Sequence, residues 1–346
     1  AGEFAREIDA SPNRVRSALK KISYSTAIGG DEMHLRRMAN LPDNALGQLG
    51  SMFKQAVASL TIPLQDLLNM LSLLGKKSGG PRTIAIMASF YRALMKFFCE
   101  DIREWDAATG HFWDSALAGS SSLRDAVMRA LKVENAAARE AHIGNLLWDQ
   151  RKFYDSVRLP TLCEELLERD YPPELLILGS LTHAAPRILK VGTSLGPVIT
   201  HCSNSILAGD QQSVSWSRGL LWKLLDKLSV VDPEYPCSVH VDDLSHVLVG
   251  ESAADLRKKV LKAGRIVGSE VKRLHLTLSE KSTLLPENEN TKCIAKLLSN
   301  EGICLKTAKS CDDVGVQMSG SAVRKASSLN RRIFVKGKDR AKRTKA

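Results

Sequence analysis

The sequence predicts an α+β fold built on a split β-α-β unit in an antiparallel sheet, and three observations carry the prediction. Asn145-Leu-Leu-Trp148 is a short apolar strand running into Asp149. Cys237-Ser-Val-His-Val241 and Leu244-Ser-His-Val-Leu-Val249 are β-rich runs separated by Asp242-Asp243, the pattern of a tight hairpin. Ala253 to Leu274 then has the periodicity of an amphipathic helix, followed by Leu276-Thr-Leu278 as a strand. From residue 145 onward the order is strand, helices, hairpin, helix, strand.

The chain has 346 residues, 44% apolar and 25% charged, enough for two or three packed subdomains and too hydrophobic to be disordered over most of its length. The uncharged stretch Val191 to Gly209 is interrupted by Thr193, Ser194, Thr200, His201, Ser203, Asn204 and Ser205, which are costly in hydrocarbon, so no membrane span is expected. The first residues lack the basic-then-apolar run of a secretory signal, which points to an intracellular chain. Seven cysteines, never spaced C-x-x-C, signal neither a disulfide framework nor a zinc knuckle, and most are expected to be buried.

The elements follow from periodicity and punctuation. Leu46, Leu49, Phe53, Val57 and Leu60 mark a helix over Asp43 to Leu60. After Pro63 an apolar run ends at the basic glycine turn Gly75-Lys-Lys-Ser-Gly-Gly-Pro81, and Arg82 to Met87 alternates as a strand. Ser89 to Glu104 and Ser121 to Ile143 read as helices, as do Pro160 to Asp170 and Pro172 to Ala185, where proline stands at a helix start. Leu189 to Ser194 precedes a helix over Pro197 to Ala208, with another at Gly219 to Ser229. Cys293 to Leu298, Gly302 to Leu305 and Val314 to Met318 read as short strands, and Asp312-Asp313 as a turn.

A carboxylate at a strand end and an Asp-Asp at a hairpin tip project from one sheet edge when the strands are neighbours. Such carboxylates suit a pair of Mg²⁺ ions that stabilise the attacking and leaving oxygens of an in-line phosphoryl transfer. Taken singly, Asp149 is equally a solvated strand-end acid and Asp242-Asp243 equally a turn. Arg82 is suited to bidentate phosphate contacts and Lys77 to a point charge on the same group. The net charge of +11 is concentrated at the end of the chain, where residues 324–346 hold ten Lys and Arg against one acid. That tail is suited to phosphate neutralisation or to a nuclear address. His111, His142, His183, His201, His246 and His275 form no H-E-x-x-H or Cys/His cluster, which argues against a zinc hydrolase. Gly192-Thr-Ser-Leu-Gly196 matches G-x-S-x-G without the buried strand a nucleophile elbow needs.

These motifs together resemble the reverse transcriptase domain of the non-LTR retrotransposon and group II intron type. Trp148-Asp-Gln-Arg-Lys-Phe-Tyr-Asp-Ser-Val157 resembles the first catalytic motif, Gly192-Thr-Ser-Leu-Gly-Pro197 the second and His240-Val-Asp-Asp-Leu244 the third. Leu276-Thr-Leu-Ser-Glu-Lys-Ser282 is similar to the fourth, and Val314-Gly-Val316 to the primer-grip hairpin. Upstream, Lys76 to Ile86 with Tyr91-Arg92 is similar to the fingers motif, so the likeness spans roughly residues 60 to 320 in the family's order.

The resemblance implies a right-hand polymerase fold with an antiparallel-sheet palm and helical fingers. It implies an N-terminal helical extension at 1–60, fingers at 61–145, palm at 146–290, a primer-grip or thumb-like region at 291–323 and a basic tail at 324–346. It also implies RNA-directed DNA polymerase activity with RNA template, DNA primer, dNTPs and two Mg²⁺ ions, or Mn²⁺ in their place. Asp149, Asp242 and Asp243 are then the catalytic carboxylates and metal ligands, with the Gln150 carbonyl assisting. Lys77, Arg82, Tyr154, Gly192 and Lys281 contact the nucleotide, Tyr154 by blocking a ribose 2′-hydroxyl. Nuclear residence follows from the resemblance and the tail together, and no membrane partner is expected. The chain departs from the family pattern at Val191, where Gln is common, at Gly196, where Ser is usual, and at His240, where an aromatic stands. A non-catalytic nucleic-acid-binding or maturase-like remnant is the alternative that keeps the fold. An RNA-templated RNA polymerase is a further one, opposed by Tyr154 and by Val241 before the Asp-Asp pair.

Overall fold

The computed structural model describes residues 7–75, 81–117, 119–202, 204–286, 289–313 and 316–319. In chain order the helices are α1 (Pro12–Lys20), α2 (Leu35–Met38), α3 (Asp43–Ser59), α4 (Ser89–Phe97), α5 (Cys99–Thr109), α6 (Ser122–Ala138), α7 (Phe153–Ser156), α8 (Leu159–Leu167), α9 (Pro173–Ala184), α10 (Ser213–Ser229), α11 (Ala253–Arg273) and α12 (Glu289–Asn300). The strands are β1 (Asn69–Gly75), β2 (Pro81–Ile86), β3 (His142–Trp148), β4 (Arg187–Val191), β5 (Ser194–Ile199), β6 (Ser238–His240), β7 (Asp243–Gly250), β8 (Thr283–Pro286), β9 (Lys306–Thr307), β10 (Ser310–Asp313) and β11 (Val316–Ser319). They fall into two compact units, Ala1–Gly110 with Lys152–Leu221, and His111–Arg151 with Trp222–Ala346. The units interleave along the chain instead of following linear intervals.

The first unit joins helices to a mixed sheet of order β2-β1-β4-β5. β1 pairs antiparallel with β2 and parallel with β4, and β5 folds back on β4 as an edge strand. Beside the sheet lies a buried polar cluster. His183 Nδ1 accepts the Leu207 N–H at 3.1 Å, so its proton sits on Nε2, which donates to Asp210 Oδ2 at 2.9 Å. The Tyr91 hydroxyl donates to the same oxygen at 3.2 Å and accepts from Gln212 Nε2 at 2.9 Å, while the Tyr171 hydroxyl donates to Gln212 Oε1 at 2.7 Å. Burial raises both tyrosine hydroxyls well above their ordinary range, Asp210 adding to the shift, so both remain donors. The cluster ties α4, α9 and the chain after α8 to the start of α10.

The second unit is an antiparallel sheet of order β6-β7-β3-β8, with β9 added parallel at the edge. Its central strand β3 alternates between two packed faces. Ile143 packs with Val247 and Val249 against Val133 and Ala136 of α6. On the opposite face Gly144 lies against Leu256 and Val260 of α11. Both helices begin with a serine cap, the Ser121 hydroxyl accepting the Arg124 N–H and the Ser252 hydroxyl the Asp255 N–H. α11 turns Leu256, Val260, Ala263, Gly264, Val267 and Val271 inward, one 3.6-periodic stripe. It comes so close to the sheet that a Cβ on Gly250 would stand 2.4 Å from the Leu256 nitrogen, which is why glycine occupies that position.

Several local expectations are corrected. Ser89 to Glu104 is two helices broken at Phe98. The helix that starts at Ser122 ends at Ala138, and β3 begins at His142. Among the described residues of Pro197 to Ala208 no helix forms. β5 runs through Pro197 there, which an edge strand tolerates because it needs no N–H on its open side. Leu276 to Leu278 is extended but carries only a bridge to Gln150, and the strand comes five residues later as β8. Cys293 to Leu298 is helical, since Ile294, Ala295 and Leu298 share the helical face that α12 buries. Gly302 to Leu305 precedes β9, and Asp312-Asp313 closes β10 instead of forming a turn. The first unit combines its helices with a four-stranded sheet. Of the six cysteines whose side chains are described, Cys99 and Cys237 are buried, Cys163 and Cys202 half-buried and Cys293 and Cys304 exposed, and these six are unbridged. Lys76 to Gly80, Lys77 among them, lie outside the described residues, as do Val314, Gly315 and the tail at 324–346.

Two predictions follow from this packing. Asp210→Ala removes the acceptor of both Tyr91 and His183 and is expected to cost about 3 kcal/mol in urea unfolding; Asp210→Asn, which retains an acceptor, should cost less. His246 is fully buried on β7 with no partner among the described residues at either ring nitrogen, and burial, reinforced by Lys132, pushes it down to about 3. The folded state then binds fewer protons than the unfolded state below the unfolded value, so this contribution is intact above about pH 6.5 and is lost as pH falls. About 2 kcal/mol should disappear by pH 5, and His246→Leu should remove that part of the acid dependence.

Candidate active site

β3 lies between β7 and β8, hydrogen-bonded on both edges. Its ladder with β7 pairs Leu147 with Ser245 and Trp148 with Leu244, and one further step sets Asp149 level with Asp243. On the far side of β7, His240 of β6 pairs with Asp243. His240, Asp243 and Asp149 thus form a row across three neighbouring strands, on the face that carries Leu147 and Ser245. Asp242 is the second residue of the two-residue loop joining β6 to β7. Asp149 and Asp242 are half-buried and Asp243 is exposed.

The backbone of Asp149 is pinned by a turn at Ser279 to Ser282. Its N–H donates to Ser282 Oγ at 3.0 Å, and its carbonyl accepts the Ser279 N–H at 2.8 Å and the Ser282 hydroxyl at 3.0 Å. The next hydrogen bond to this segment comes from the Arg151 N–H to the Thr277 carbonyl, so Gln150 is the intervening residue of the bridge to Leu278. The Gln150 N–H and C=O therefore point to the other edge of the strand, the edge on which β7 lies. Lys281 belongs to the same turn and is exposed, with its N–H donating to Ser279 Oγ at 3.2 Å.

The hairpin is held from outside by Trp113 to Ser115. The Val239 N–H donates to the Trp113 carbonyl at 2.7 Å, and the Ser115 N–H returns to the Val239 carbonyl at 2.9 Å. Ser115 Oγ lies 3.2 Å from His240 Nδ1, which fixes the ring beside Asp243. At the tip, Val241 has φ +63°, in the left-handed region where a β-branched residue is strained.

The donors are hard oxygens, which suits Mg²⁺, an ion held by one or two carboxylates together with substrate phosphates. Among the described residues no three His, Cys, Asp or Glu side chains form a ready cation cage. An ion that completes its shell with substrate does not need one.

The other residues singled out from sequence lie in the first unit. Arg82 is exposed on β2 opposite Leu74. Tyr154 is half-buried on α7, its carbonyl accepting the Ile206 N–H at 2.9 Å. Gly192 has φ +60° at the tip of the β4–β5 hairpin, which leads into a strand and not into the expected helix. Sequence reading missed the Ser279–Ser282 turn, although Ser-Glu-Lys-Ser has turn composition, and it missed Ser115, which no local pattern connects to His240.

No family model matches the chain, and no curated protein matches it. Among solved structures it is similar to apo telomerase from Candida tropicalis truncated from its C-terminal domain, with TM-score 0.53 and 12% sequence identity over 86% of this chain. The chain spans 62% of that structure's length. The likeness is one of fold alone. Among the described residues no helix is long and apolar enough to cross a membrane.

Because the tip strain is local, Val241→Gly is expected to raise unfolding stability by about 1 kcal/mol. Urea denaturation checks this, and a loss of stability would show that the tip is held without strain.

Proposed function

We propose that the chain is a template-directed nucleotidyltransferase of the reverse-transcriptase type, extending a DNA primer on RNA from a retroelement. The observation that carries the reading is the row Asp149–Asp243–His240 with Asp242 at the adjoining tip. The fold likeness to telomerase supports it independently. In this reading the second unit holds the palm, and β1, β2 and the basic turn between them belong to the fingers.

Asp149, Asp242 and Asp243, with the Gln150 carbonyl, would hold two Mg²⁺ ions, or Mn²⁺. Bound there, the ions supply charge stabilisation for the attacking 3′-oxygen and the leaving pyrophosphate oxygen. The chain's own part is positioning. Ser279 and Ser282 fix Asp149 through its backbone, so the carboxylate meets the reacting groups without first being ordered. Ser115 and the Trp113 carbonyl hold β6, and through it the hairpin tip. Lys281 places an ammonium on the turn that fixes Asp149, suited to pyrophosphate. Lys77 and Arg82 would meet the triphosphate, Gly192 the nascent base pair, and Tyr154 would exclude the ribose 2′-hydroxyl. The basic tail would add grip on nucleic acid and a nuclear address.

A second reading, a nucleic-acid-binding protein that does not copy, is favoured by one observation. The glycine motif at 192–197 enters an edge strand that runs through Pro197, where a helix is expected to begin, and leaves Val191, Leu195 and Val198 exposed.

Primer extension on an RNA template with dNTPs and Mg²⁺ separates the two. Asp149→Asn and Asp242→Asn should each lower kcat by at least about 100-fold with unfolding midpoints close to native. Extension that survives either substitution rules out the carboxylate assignment. Salt-dependent RNA binding without extension by the folded native chain supports the second reading.

A further inference from the structure

We propose that the solvent face of α11 is a second nucleic-acid contact, binding a phosphate backbone on the side of the sheet opposite the carboxylate row. α11 packs on the face marked by Gly144 and Gly250, whereas Asp149 and Asp243 stand on the face shared with Leu147 and Ser245. With Leu256, Val260, Ala263, Val267 and Val271 turned to the sheet, the helix presents Lys258, Lys262, Arg265, Lys272 and Arg273 to solvent.

Three acids bordering this face are already engaged. Glu301 is held by Arg265 through two hydrogen bonds of 2.8 and 2.9 Å, Glu270 by Lys227 and Arg273, and Asp255 by Lys259 at 3.6 Å. Lys258, Lys262 and Lys272 form no ion pair with the described residues. Lys272 lies in the last helical turn, where a cation is favourable in any helix. Lys258 and Lys262 have no such reason. They stand one turn apart with like charge, an arrangement that weakens a helix and that a polyanion relieves. From Lys258 to Lys272 the track is about 21 Å long.

The chemistry selects a nucleic-acid backbone over a lipid surface. No large apolar side chain of α11 is exposed, and an interfacial helix needs such residues to insert. Ammonium groups on flexible stems neutralise phosphates without reading bases, so the contact is independent of sequence. It does not rest on polymerase activity, since a chain that never extends a primer still shows it.

The test uses the full chain with a 30-nucleotide single-stranded RNA, affinity being measured against salt. Lys258→Gln/Lys262→Gln/Lys272→Gln should flatten the log–log salt slope by about 2, at roughly 0.7 per lost phosphate contact. The comparison variant Lys20→Gln/Lys21→Gln/Lys54→Gln removes the same charge from the first unit and should leave the slope native. An unchanged slope in the α11 variant overturns the proposal, and so does equal flattening in both, which would reflect net charge alone. Native binding to phosphatidylserine vesicles that the α11 variant loses, with RNA binding unaltered, overturns it in favour of a lipid surface. Extension of a primer on a short template should be unchanged in the α11 variant, because the substituted lysines lie across the sheet from the carboxylates.

Discussion

The arrangement of the second unit depends on one constraint: β3 is hydrogen-bonded on both edges and packed on both faces. A strand so enclosed has no freedom of register, since a slip of one residue would turn Ile143 and Leu147 away from α6 and take Gly144 from its close fit against Leu256 and Val260 of α11. Asp149 inherits that rigidity as the first residue beyond the strand. Its position level with Asp243 follows from the ladder itself, and the Ser279–Ser282 turn closes the last degree of freedom. The hairpin tip is fixed by the same logic from the other side, where Trp113 to Ser115 hold β6.

Polar groups in the two units serve different ends. In the first unit the Tyr91–Asp210–His183 cluster is satisfied through its hydroxyls, imidazole and carboxylate, and orients elements distant in sequence. In the second unit His246 and Asn145 are buried with their side-chain nitrogens and the Asn145 oxygen unpartnered among the described residues. The first arrangement specifies a unique packing, whereas the second costs stability wherever protonation competes.

A fold shared at 12% identity constrains backbone paths and not chemistry. What raises the functional reading above fold analogy is that the carboxylates singled out from sequence occupy adjoining positions in one sheet, with Lys281 on the turn that holds the Asp149 backbone. In that reading the departures at the glycine motif would bear on template and base positioning, and β5 is the strand they lead into. The exposed cations of α11 lie outside that site and extend the chain's chemistry toward phosphate on a different surface.

The sequence by itself determined the split β-α-β order, the hairpin at Asp242-Asp243, the helix α11 and the strand that ends at Asp149. Each depends on a local period of 2 or 3.6 residues or on the composition of a turn, and such signals need only neighbours in the chain. It failed at Pro197 to Ala208 and at Cys293 to Leu298. Short apolar runs fit strand and helix alike, and the choice fell to β4 offering an open edge in one case and α11 a groove in the other. Only the tertiary structure decided that Asp149 stands in a row with Asp243 and His240, that Ser279 and Ser282 hold it, and that His183 meets Asp210. These pairs are separated by many residues, and a strand ladder or a buried hydrogen bond leaves no periodic trace in sequence. The same holds for the two faces of the second sheet: sequence placed cations on α11, and packing decided that they lie opposite the carboxylates.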